Sequence, residues 1–324
     1  MNMQLLIQNI KNGEVYDITQ LTTSITYETD IGYQPGKLEI EFATDPNIVV
    51  NEGDVIRFKI DNTGIFFGKI FSKKKKRTDA TWKIVAFDSL YYLKNEDTIV
   101  FEASTSSDMF TKICSENELE NKVVDASSFM CPPKVQDKKS YFSMLQEAID
   151  LTLINTGNWY ILRDNFGTLE HVELETLATN LLIGHDSLAT DFDFESTITD
   201  SFNYIKLTKD NEETNKREVF VVKDSKNIAN WGKLQYHETV DAKMNEQQIQ
   251  EKAERLLKVK NTAKRTLKVD CVGFIGIVAG SGVYVNFPDL QQEGIEQNSK
   301  AIVSKCTHKF GKFHEMTLEL KVVQ

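Results

Sequence analysis

Apolar and polar residues alternate along residues 51–96 with the period of two that is typical of β-strands. The run Val55–Ile60 places its apolar side chains on one face and Arg57 and Lys59 on the other. The tetrapeptide Asp-Asn-Thr-Gly follows at residues 61–64, and residues of these types readily adopt left-handed backbone geometry. We therefore predict a tight hairpin with the run IFFGKIF as its returning strand.

Short strands separated by turn signals also fill the residues before this hairpin. The dipeptide Asn12-Gly13 between two apolar runs is a strong short-range hairpin signal. A further strand is predicted at Thr81–Phe87, and we expect the span AFDSLYYLKN that follows it to plug one end of a barrel. Regularly spaced short strands favour a barrel or sandwich over an α/β sheet, so residues 1–96 are predicted to form a first small β-barrel.

The hydrophobic period then changes to that of helices. Ser106 or Ser107 is placed to cap a first helix, and a second helix is predicted between Ser140 and Gly157. A hairpin that turns at the sequence Asp-Asn-Phe-Gly comes next. Residues 97–198 are therefore predicted to form a small α+β domain.

The strand period returns after residue 198 and is interrupted by one amphipathic helix. Asn245 is a good N-cap for that helix because Gln248, three residues later, can complete a capping box. We expect the helix to pack against a second barrel, residues 199–324. The chain is thus predicted to be mainly β with an α+β insert, in which two small tube-type β-barrels flank the α+β middle domain.

The composition is that of a globular protein of 324 residues, 40% of them hydrophobic. The longest nearly apolar run, Val272–Ala279, is far shorter than the ~20 residues of a membrane helix, so no membrane anchor is predicted. No basic segment precedes the first apolar residues, so we expect no signal peptide. Four widely separated cysteines without a CxxC pair are expected to be free and mostly buried. They are Cys114, Cys131, Cys271 and Cys306.

The net charge of −10 is distributed unevenly. Residues 1–96 carry 12 basic against 13 acidic residues, residues 97–198 carry 6 against 18, and residues 199–324 carry 20 against 17. This balance argues against a nucleic-acid-binding surface along the whole chain. We expect the acidic middle domain to face outward, toward other proteins.

Five consecutive positive charges interrupt the strand pattern at Lys73, Lys74, Lys75, Lys76 and Arg77. Such a run is usually a solvated hairpin tip, and the alternative is a patch that docks phosphate or a protein partner. These five residues are therefore the candidate partner-docking patch.

Acidic and aromatic residues alternate in the run Asp191-Phe192-Asp193-Phe194-Glu195. Neighbouring carboxylates can serve glycoside hydrolysis or bind calcium, but the glycine expected at position six of a calcium loop is missing. The interposed phenylalanines fit an extended strand with one wet face, and this is the structure that we predict.

Gly273, Gly276, Gly280 and Gly282 are spaced somewhat like a nucleotide-binding loop. Strand residues follow them where such a loop would open a helix, so we predict turns and bulges. No cofactor is predicted from this region.

Cys306, His308 and His314 are candidate metal ligands near the end of the chain. A closed structural site needs four ligands, and no fourth is evident. The sequence also shows no recognisable Ser/His/Asp or Cys/His arrangement, so neither a metal nor a catalytic site is predicted.

Four stretches of the chain carry a family resemblance. They are GIFFGKI followed by AFDSLYYLKNEDTIVF; DNFGTLEHVEL; ITDSFNYIKLTKDNEETNKREVFVVKDSKNIANWGKLQYHETVD; and THKFGKFHEMTLEL. In this order they resemble the baseplate hub proteins of contractile phage tails and phage-tail-like bacteriocins, of the type found in the prophage PBSX. The stretches span nearly the whole chain, and their ordered combination is more specific than any one of them.

The resemblance implies a homotrimer in which each subunit contributes two similar barrels to a pseudo-sixfold ring. Such a ring joins the tail tube protein to the central spike and contacts other baseplate proteins, with DNA or the tape-measure protein as the passenger of its channel. It implies no catalysis and no cofactor, and a place in the baseplate of a virion or tail-like particle assembled in the bacterial cytoplasm. Some relatives carry fused wall-degrading domains, for which we expect no room here.

Two alternatives stay open from the sequence. A carbohydrate-binding or cell-wall-hydrolysing tail protein would also use aromatic-rich β domains and paired carboxylates. A secretion-system spike would share the two-barrel plan, but its C-terminal β-helix is not evident in this sequence.

Overall fold

The computed structural model describes residues 2–75, 80–211, 216–242 and 244–322. The chain divides into two units, Met1–Asp193 with Leu267–Gln324, and Phe194–Thr266. The first unit is therefore built from both ends of the chain.

Seven strands form in the described part of the first 87 residues, and their buried side chains alternate as the sequence pattern predicts. Ile56 and Phe58 are fully buried, whereas Arg57 between them lies on the outer face. Asp61 and Asn62 both have positive φ, 47° and 67°, and form the predicted hairpin turn. The strands are β1 (Met3–Gln8), β2 (Val15–Asp17), β3 (Thr22–Asp30), β4 (Lys37–Ala43), β5 (Val55–Ile60), β6 (Thr63–Lys75) and β7 (Thr81–Phe87).

The middle segment contains two helices that pack against short strands. The second helix begins after Ser140 and ends at Gly157, which has left-handed geometry, as predicted. The elements are β8 (Glu96–Phe101), α1 (Ser106–Glu116), β9 (Asn121–Val123), β10 (Lys134–Ser140), α2 (Tyr141–Thr156), β11 (Tyr160–Asn165), β12 (Thr168–Glu173), β13 (Ala178–Gly184) and β14 (Ala189–Thr197).

The N-cap predicted for α1 is wrong. Thr105 caps the helix: its side chain accepts a hydrogen bond from the backbone N–H of Asp108, and the Asp108 carboxylate accepts one from the N–H of Thr105. Ser106 and Ser107 lie inside the first turn and are buried, because their hydroxyl groups bond to Ser127 instead.

The span AFDSLYYLKN does not plug a barrel. It forms a 3-10 helix, Ser89–Lys94, in which Leu90 and Leu93 enter the core beneath α1 and α2. Residues three apart lie on one side of a 3-10 helix, so both leucines are buried together. Tyr91 and Tyr92 contact Phe71 on the outer face of the sheet.

The second unit is a three-stranded sheet against which one helix packs. Its core is small and contains Ile205, Leu207 and Ile249 among its buried residues. The predicted capping box of Asn245 and Gln248 is confirmed by hydrogen bonds in both directions. The elements are β15 (Tyr204–Asn211), β16 (Lys216–Lys223), α3 (Ser225–Trp231), β17 (Gln235–Thr239) and α4 (Glu246–Lys260).

The last four strands return the chain to the first unit's sheet. Residues Lys305–Phe310 pair antiparallel with Ile25–Asp30 of β3, so strands from the two ends of the chain are neighbours. The strands are β18 (Lys264–Val272), β19 (Gly282–Asn286), β20 (Ser299–Phe310) and β21 (His314–Val322). The main path of the sheet runs β14-β18-β21-β20-β3-β4-β7-β6-β5-β1-β2.

The prediction of a mainly β protein with an α+β insert is confirmed. In the described ranges the strand order follows an open path rather than two closed rings, and β20 links the two ends of the chain by pairing with β3 on one side and β21 on the other. The division at residues 1–96, 97–198 and 199–324 stays a prediction about domains. No helix of the described ranges is long and apolar enough to cross a membrane.

Candidate interaction surface

The β5–β6 hairpin presents a row of cations and rings on the face of the sheet that points away from the core. Directly opposed residues of antiparallel strands share a face. Arg57 lies opposite Phe67, and Lys69 lies opposite Phe87 of β7. Lys59, two residues after Arg57, continues the row because side chains alternate along a strand.

Each cation of this row lies over an aromatic ring. Contacts of this kind contribute ~0.5–1 kcal/mol at exposed sites. The distances from the cationic atom to the ring centre are 5.5 Å for Arg57 over Phe67, 5.5 Å for Lys59 over Phe166, 5.8 Å for Lys69 over Tyr92 and 5.4 Å for Lys94 over Tyr91.

The rings also contact one another and are partly exposed. The ring centre of Phe71 is 4.2 Å from that of Tyr91 and 5.3 Å from that of Phe87. The edge-to-face arrangement of Phe71 and Phe87 adds to what area burial provides. We call this surface the cation–aromatic face; it consists of Arg57, Lys59, Phe67, Lys69, Phe71, Phe87, Tyr91, Tyr92, Lys94 and Phe166.

None of the four cations of this face pairs with a carboxylate in the described part of the chain. Arg57 instead donates a 2.9 Å hydrogen bond to Oε1 of Gln8, and Lys94 donates one of 3.1 Å to Oε1 of Gln34. The positive charge of the face is therefore not neutralised within the described chain.

The adjoining strands of the same outer face are different. There Lys37 pairs with Glu39 at 2.9 Å, and the register places Lys37 opposite Phe87, at the border of the cation–aromatic face. Two further pairs, at 3.2 and 3.1 Å, join cations and carboxylates of strands β3, β4, β7 and β20. We call these six residues the ion-paired face; they are Glu28, Lys37, Glu39, Glu41, Lys83 and Lys305.

The hairpin of β11 and β12 interlocks with the β5–β6 hairpin. A Cβ atom at Gly64 would lie 2.5 Å from the ring of Phe166, and one at Gly167 would lie 2.7 Å from the ring of Phe67. Gly167 also has φ of +97°, which side chains disfavour. Glycine at both turns therefore lets the rings of Phe67 and Phe166 meet, 5.8 Å apart.

Two buried carboxylates tie this hairpin to the sheet. Each accepts hydrogen bonds from two backbone N–H groups, and one donor to Asp164, the N–H of Ser89, belongs to the 3-10 helix that Asp88 caps. Asp88 accepts from Gly36 at 2.8 Å and Leu90 at 3.1 Å, and Asp164 accepts from Ser89 at 3.1 Å and Gly167 at 2.6 Å.

Burial changes the acidity of both groups. Loss of hydration, reinforced by the nearby charge of Asp164, raises the pKa of Asp88 well above its usual range. Burial likewise raises the pKa of Asp164 to about 6, although its two N–H donors oppose the change. The pair therefore retains a proton in mildly acidic solution.

A cavity of about 210 Å³ lies beside these carboxylates, lined also by Tyr27, Phe166 and His308. In the described ranges no group of three or more His, Cys, Asp or Glu side chains is arranged to hold a metal ion. The hydrogen bonds that Asp88 and Asp164 accept from backbone N–H groups account for the burial of both carboxylates.

The candidate docking patch lies at the far end of β6 and is described only in part. Lys73 donates a 2.7 Å hydrogen bond to the carbonyl oxygen of Val50, so its ammonium group is held by its own chain. Lys74 is exposed, and Lys75 lies 5.3 Å from the ring centre of Trp82. The other two members, Lys76 and Arg77, lie outside the described residues. A docking role for the patch stays a prediction.

The structure brings Cys306, His308 and His314 together but not as a metal site. Sγ of Cys306 is 3.2 Å from Nε2 of His308, whose Nδ1 is 3.0 Å from Nε2 of His314. The three groups form a chain because the two nitrogens of His308 face opposite partners. Burial lowers the pKa of His308 to about 4, which keeps its ring neutral. All four cysteines are free and buried, as predicted.

A serine and a histidine that are distant in sequence also meet. The hydroxyl oxygen of Ser106 is 3.1 Å from Nε2 of His171, and Nδ1 of His171 is 3.0 Å from the carbonyl oxygen of Asp125. Both side chains are fully buried, so a substrate has no access to the hydroxyl group in this conformation. The hydrogen bond between Ser106 and His171 connects the start of α1 to β12.

The acidic and aromatic run lies on β14, as predicted for a strand with one wet face. Asp191, Asp193 and Glu195 are exposed, and Phe192 and Phe194 are partly buried. The alternation therefore reflects a half-buried strand.

The glycine-rich run also forms turns, as predicted. Gly276 and Gly280 have φ of +104° and +95° between β18 and β19, and a strand follows them. A nucleotide-binding loop would open a helix at this point.

Sequence periodicity alone places Arg57 and Lys59 on a polar face and does not show what covers them. Phe166, the partner of Lys59, is far away in the sequence and cannot be found by spacing. The sequence does contain one local signal for this face. Cations and aromatic residues occupy alternate positions of two strands that pair, so both kinds of side chain are expected on the same side of the sheet.

The fold is that of phage tail proteins of known structure. The 43 kDa tail protein of prophage MuSo2 from Shewanella oneidensis superimposes with a TM-score of 0.73 at 11% identity, covering 99% of this chain and 98% of that protein. The tail protein from Neisseria meningitidis MC58 gives a TM-score of 0.69 at 14% identity, with coverage of 99% and 97%. At these identities the likeness establishes the fold.

The sequence defines the family. This chain belongs to the YqbQ-like family, whose profile matches residues 25–321. It is 26% identical over 275 residues to the uncharacterised protein YqbQ of Bacillus subtilis (strain 168), covering 84% of this chain and 82% of that protein. It is also 26% identical over 281 residues to protein XkdQ of the phage-like element PBSX in the same organism, with the same coverage.

Proposed function

We propose that this protein is a structural component of the baseplate of a contractile phage tail or tail-like particle. In this function three copies form a ring that joins the tail tube to the central spike and contacts other baseplate proteins. The observation that carries the proposal is the agreement in fold, over nearly the whole of both chains, with the MuSo2 tail protein. Homology to XkdQ of the phage-like element PBSX supports the same role.

The side chains of the described residues also fit a structural role better than a catalytic one. Ser106 and His171, the pair closest to a nucleophile and its base, are buried, and the carboxylates of β14 lie on an open strand face. Broad outer faces of the long sheet are available for contacts between proteins. A ring of three copies needs two different patches on each copy that fit one another, because its contacts are head-to-tail.

Purified protein and assembled particles together test the proposal. Native mass spectrometry is expected to show a species of three times the chain mass of 37.0 kDa. Cryo-electron microscopy of particles that carry a tagged copy is expected to place the tag at the end of the tube, next to the spike. A tag on the sheath or on peripheral fibres, or its absence from purified tails, would contradict the proposed role.

A further inference from the structure

The cation–aromatic face has the composition of a contact surface that lacks its partner. Four cations without carboxylate partners surround rings that are partly exposed. Aromatic residues and arginine are enriched in the centres of protein interfaces, where an unpaired charge needs a partner of opposite sign. The occupant of this face should therefore be acidic.

The same chain carries an acidic surface whose carboxylates form no ion pair within the described residues. Glu116 is the last residue of α1, and Glu118 and Glu120 follow two and four residues later. All three side chains are exposed. None of them forms an ion pair within the described residues. The last turn of α1 contains no basic residue. The partial negative charge of a helix C-terminus makes carboxylates unfavourable there. A cationic partner would relieve this repulsion. We call these three residues the acidic end of α1.

We propose that the cation–aromatic face of one copy binds the acidic end of α1 of a second copy. The proposal rests on the proposed function, since a ring requires a contact between copies. The two patches differ, so the contact is head-to-tail and can repeat around a ring. Carboxylates would then take the positions opposite Arg57, Lys59 and Lys69 that the chain itself leaves without acids.

Single-stranded nucleic acid is the other ligand that combines negative charge with affinity for rings. It fits this face less well because bases stack on open ring surfaces, whereas here the cations themselves lie over Phe67, Phe166 and Tyr92.

Charge reversal on each patch, alone and combined, tests the contact. Sedimentation equilibrium of the full chain at low salt would compare the wild type with Lys59→Glu/Lys69→Glu, with Glu116→Lys/Glu120→Lys and with the variant that carries all four changes. Each double variant should raise the Kd of self-association by roughly tenfold or more, because like charges then face each other. The fourfold variant should return it to within about threefold of the wild type.

A matched control reverses two exposed lysines elsewhere, Lys11→Glu/Lys226→Glu, and should leave the Kd unchanged. Circular dichroism melting identifies any variant that fails to fold. The docking proposal is overturned if folded double variants associate like the wild type, or if the fourfold variant folds but does not regain association.

Two further outcomes separate this proposal from the proposed function. A wild-type chain that stays monomeric at all concentrations but still enters particles would overturn the docking contact and leave the baseplate role intact. Absence from particles would count against the role itself. Fluorescence anisotropy with labelled single-stranded DNA provides the last check: binding that Lys59→Glu/Lys69→Glu abolishes would assign the face to nucleic acid and overturn docking between copies.

Discussion

The outer side of the long sheet has two faces on which lysine side chains have different partners. On the ion-paired face, Lys37, Lys83 and Lys305 each lie within 3.2 Å of a glutamate of the same chain. On the cation–aromatic face, Lys59 and Lys69 lie over rings and have no carboxylate partner in the described residues. The first face is neutralised and the second keeps its charge.

The difference shows how one sheet can carry a surface whose charges are neutralised beside a surface whose charges can attract a partner. Exposed ion pairs contribute little to stability, ~0–1 kcal/mol, but they cancel charge that would otherwise attract a partner. A cation over a ring keeps its full charge and holds its side chain in place, so less side-chain entropy is lost when a carboxylate binds it.

The two faces lie over one apolar core but differ in what else holds them. Leu38, Ile40 and Phe42 lie beneath the ion-paired face, and Ile56, Phe58 and Phe66 of the same core lie beneath the cation–aromatic face. The cation–aromatic face depends in addition on close backbone contacts and on the buried carboxylates of Asp88 and Asp164. Mutations beneath it should therefore separate the two faces.

The largest effect is expected from Gly68→Ala in β6. A Cβ atom there would lie 2.2 Å from the carbonyl oxygen of Phe87, a backbone atom that cannot move aside without breaking the pairing of β6 and β7. We expect a loss of about 3 kcal/mol in the free energy of unfolding, measured by urea denaturation.

Gly311→Ala is the matched control at the tip of the β20–β21 hairpin. Nothing lies within 4 Å of a Cβ atom at that position. We expect a change within about 0.5 kcal/mol. Equal stability of the two variants would show that β6 and β7 can separate without cost, contrary to the close contact described above.

The second largest effect is a dependence on pH from Asp164. Its pKa is raised from 3.8 to about 6, so the folded chain binds more protons than the unfolded chain between these values. Stability therefore falls as pH rises through this window, and the contribution present below pH 4 is lost above about pH 6. The change of pKa corresponds to roughly 3 kcal/mol.

Asp164→Asn should flatten that slope, because asparagine does not titrate. Urea denaturation at intervals between pH 4 and pH 7.5 would measure the difference in slope between the variant and the wild type. Asp191→Asn, an exposed carboxylate of β14, should leave the slope unchanged. A slope that Asp164→Asn does not alter would mean that Asp164 binds no extra proton in the folded state.

The sequence predicts a strand or a helix cap correctly where a short local pattern determines it. β7 has the predicted bounds because alternation and flanking turns agree, and Asn245 caps α4 because its partner lies three residues away. Ser106 and Ser107 mislead because Thr105, just before them, is an equally good cap and completes a box with Asp108.

The features that the sequence does not predict depend on contacts between distant segments. Alternation shows that Arg57 and Lys59 face outward, but whether an outward cation meets a carboxylate or a ring depends on which strand is its neighbour. The ring over which Lys59 lies comes from a turn in another part of the chain, Phe166. Strand β20 joins the two ends of the chain in one sheet for a similar reason, since its pairing with β3 has no local signal.

The smallest effect concerns the response of the two faces to salt. Arg57→Gln removes the cation over Phe67 and the hydrogen bond to Gln8, and should cost about 1 kcal/mol. Glu28→Gln breaks the half-buried ion pair with Lys305 and should cost about 0.5 kcal/mol. Salt screens the ion pair, so 0.5 M sodium chloride should remove most of the second effect but little of the first, which depends on short-range packing as well as charge. Urea denaturation at low and high salt measures both, with Arg57→Lys as the variant that keeps the charge. If both losses shrink equally in salt, the cation–aromatic face is held by ordinary surface electrostatics and the distinction between the two faces fails.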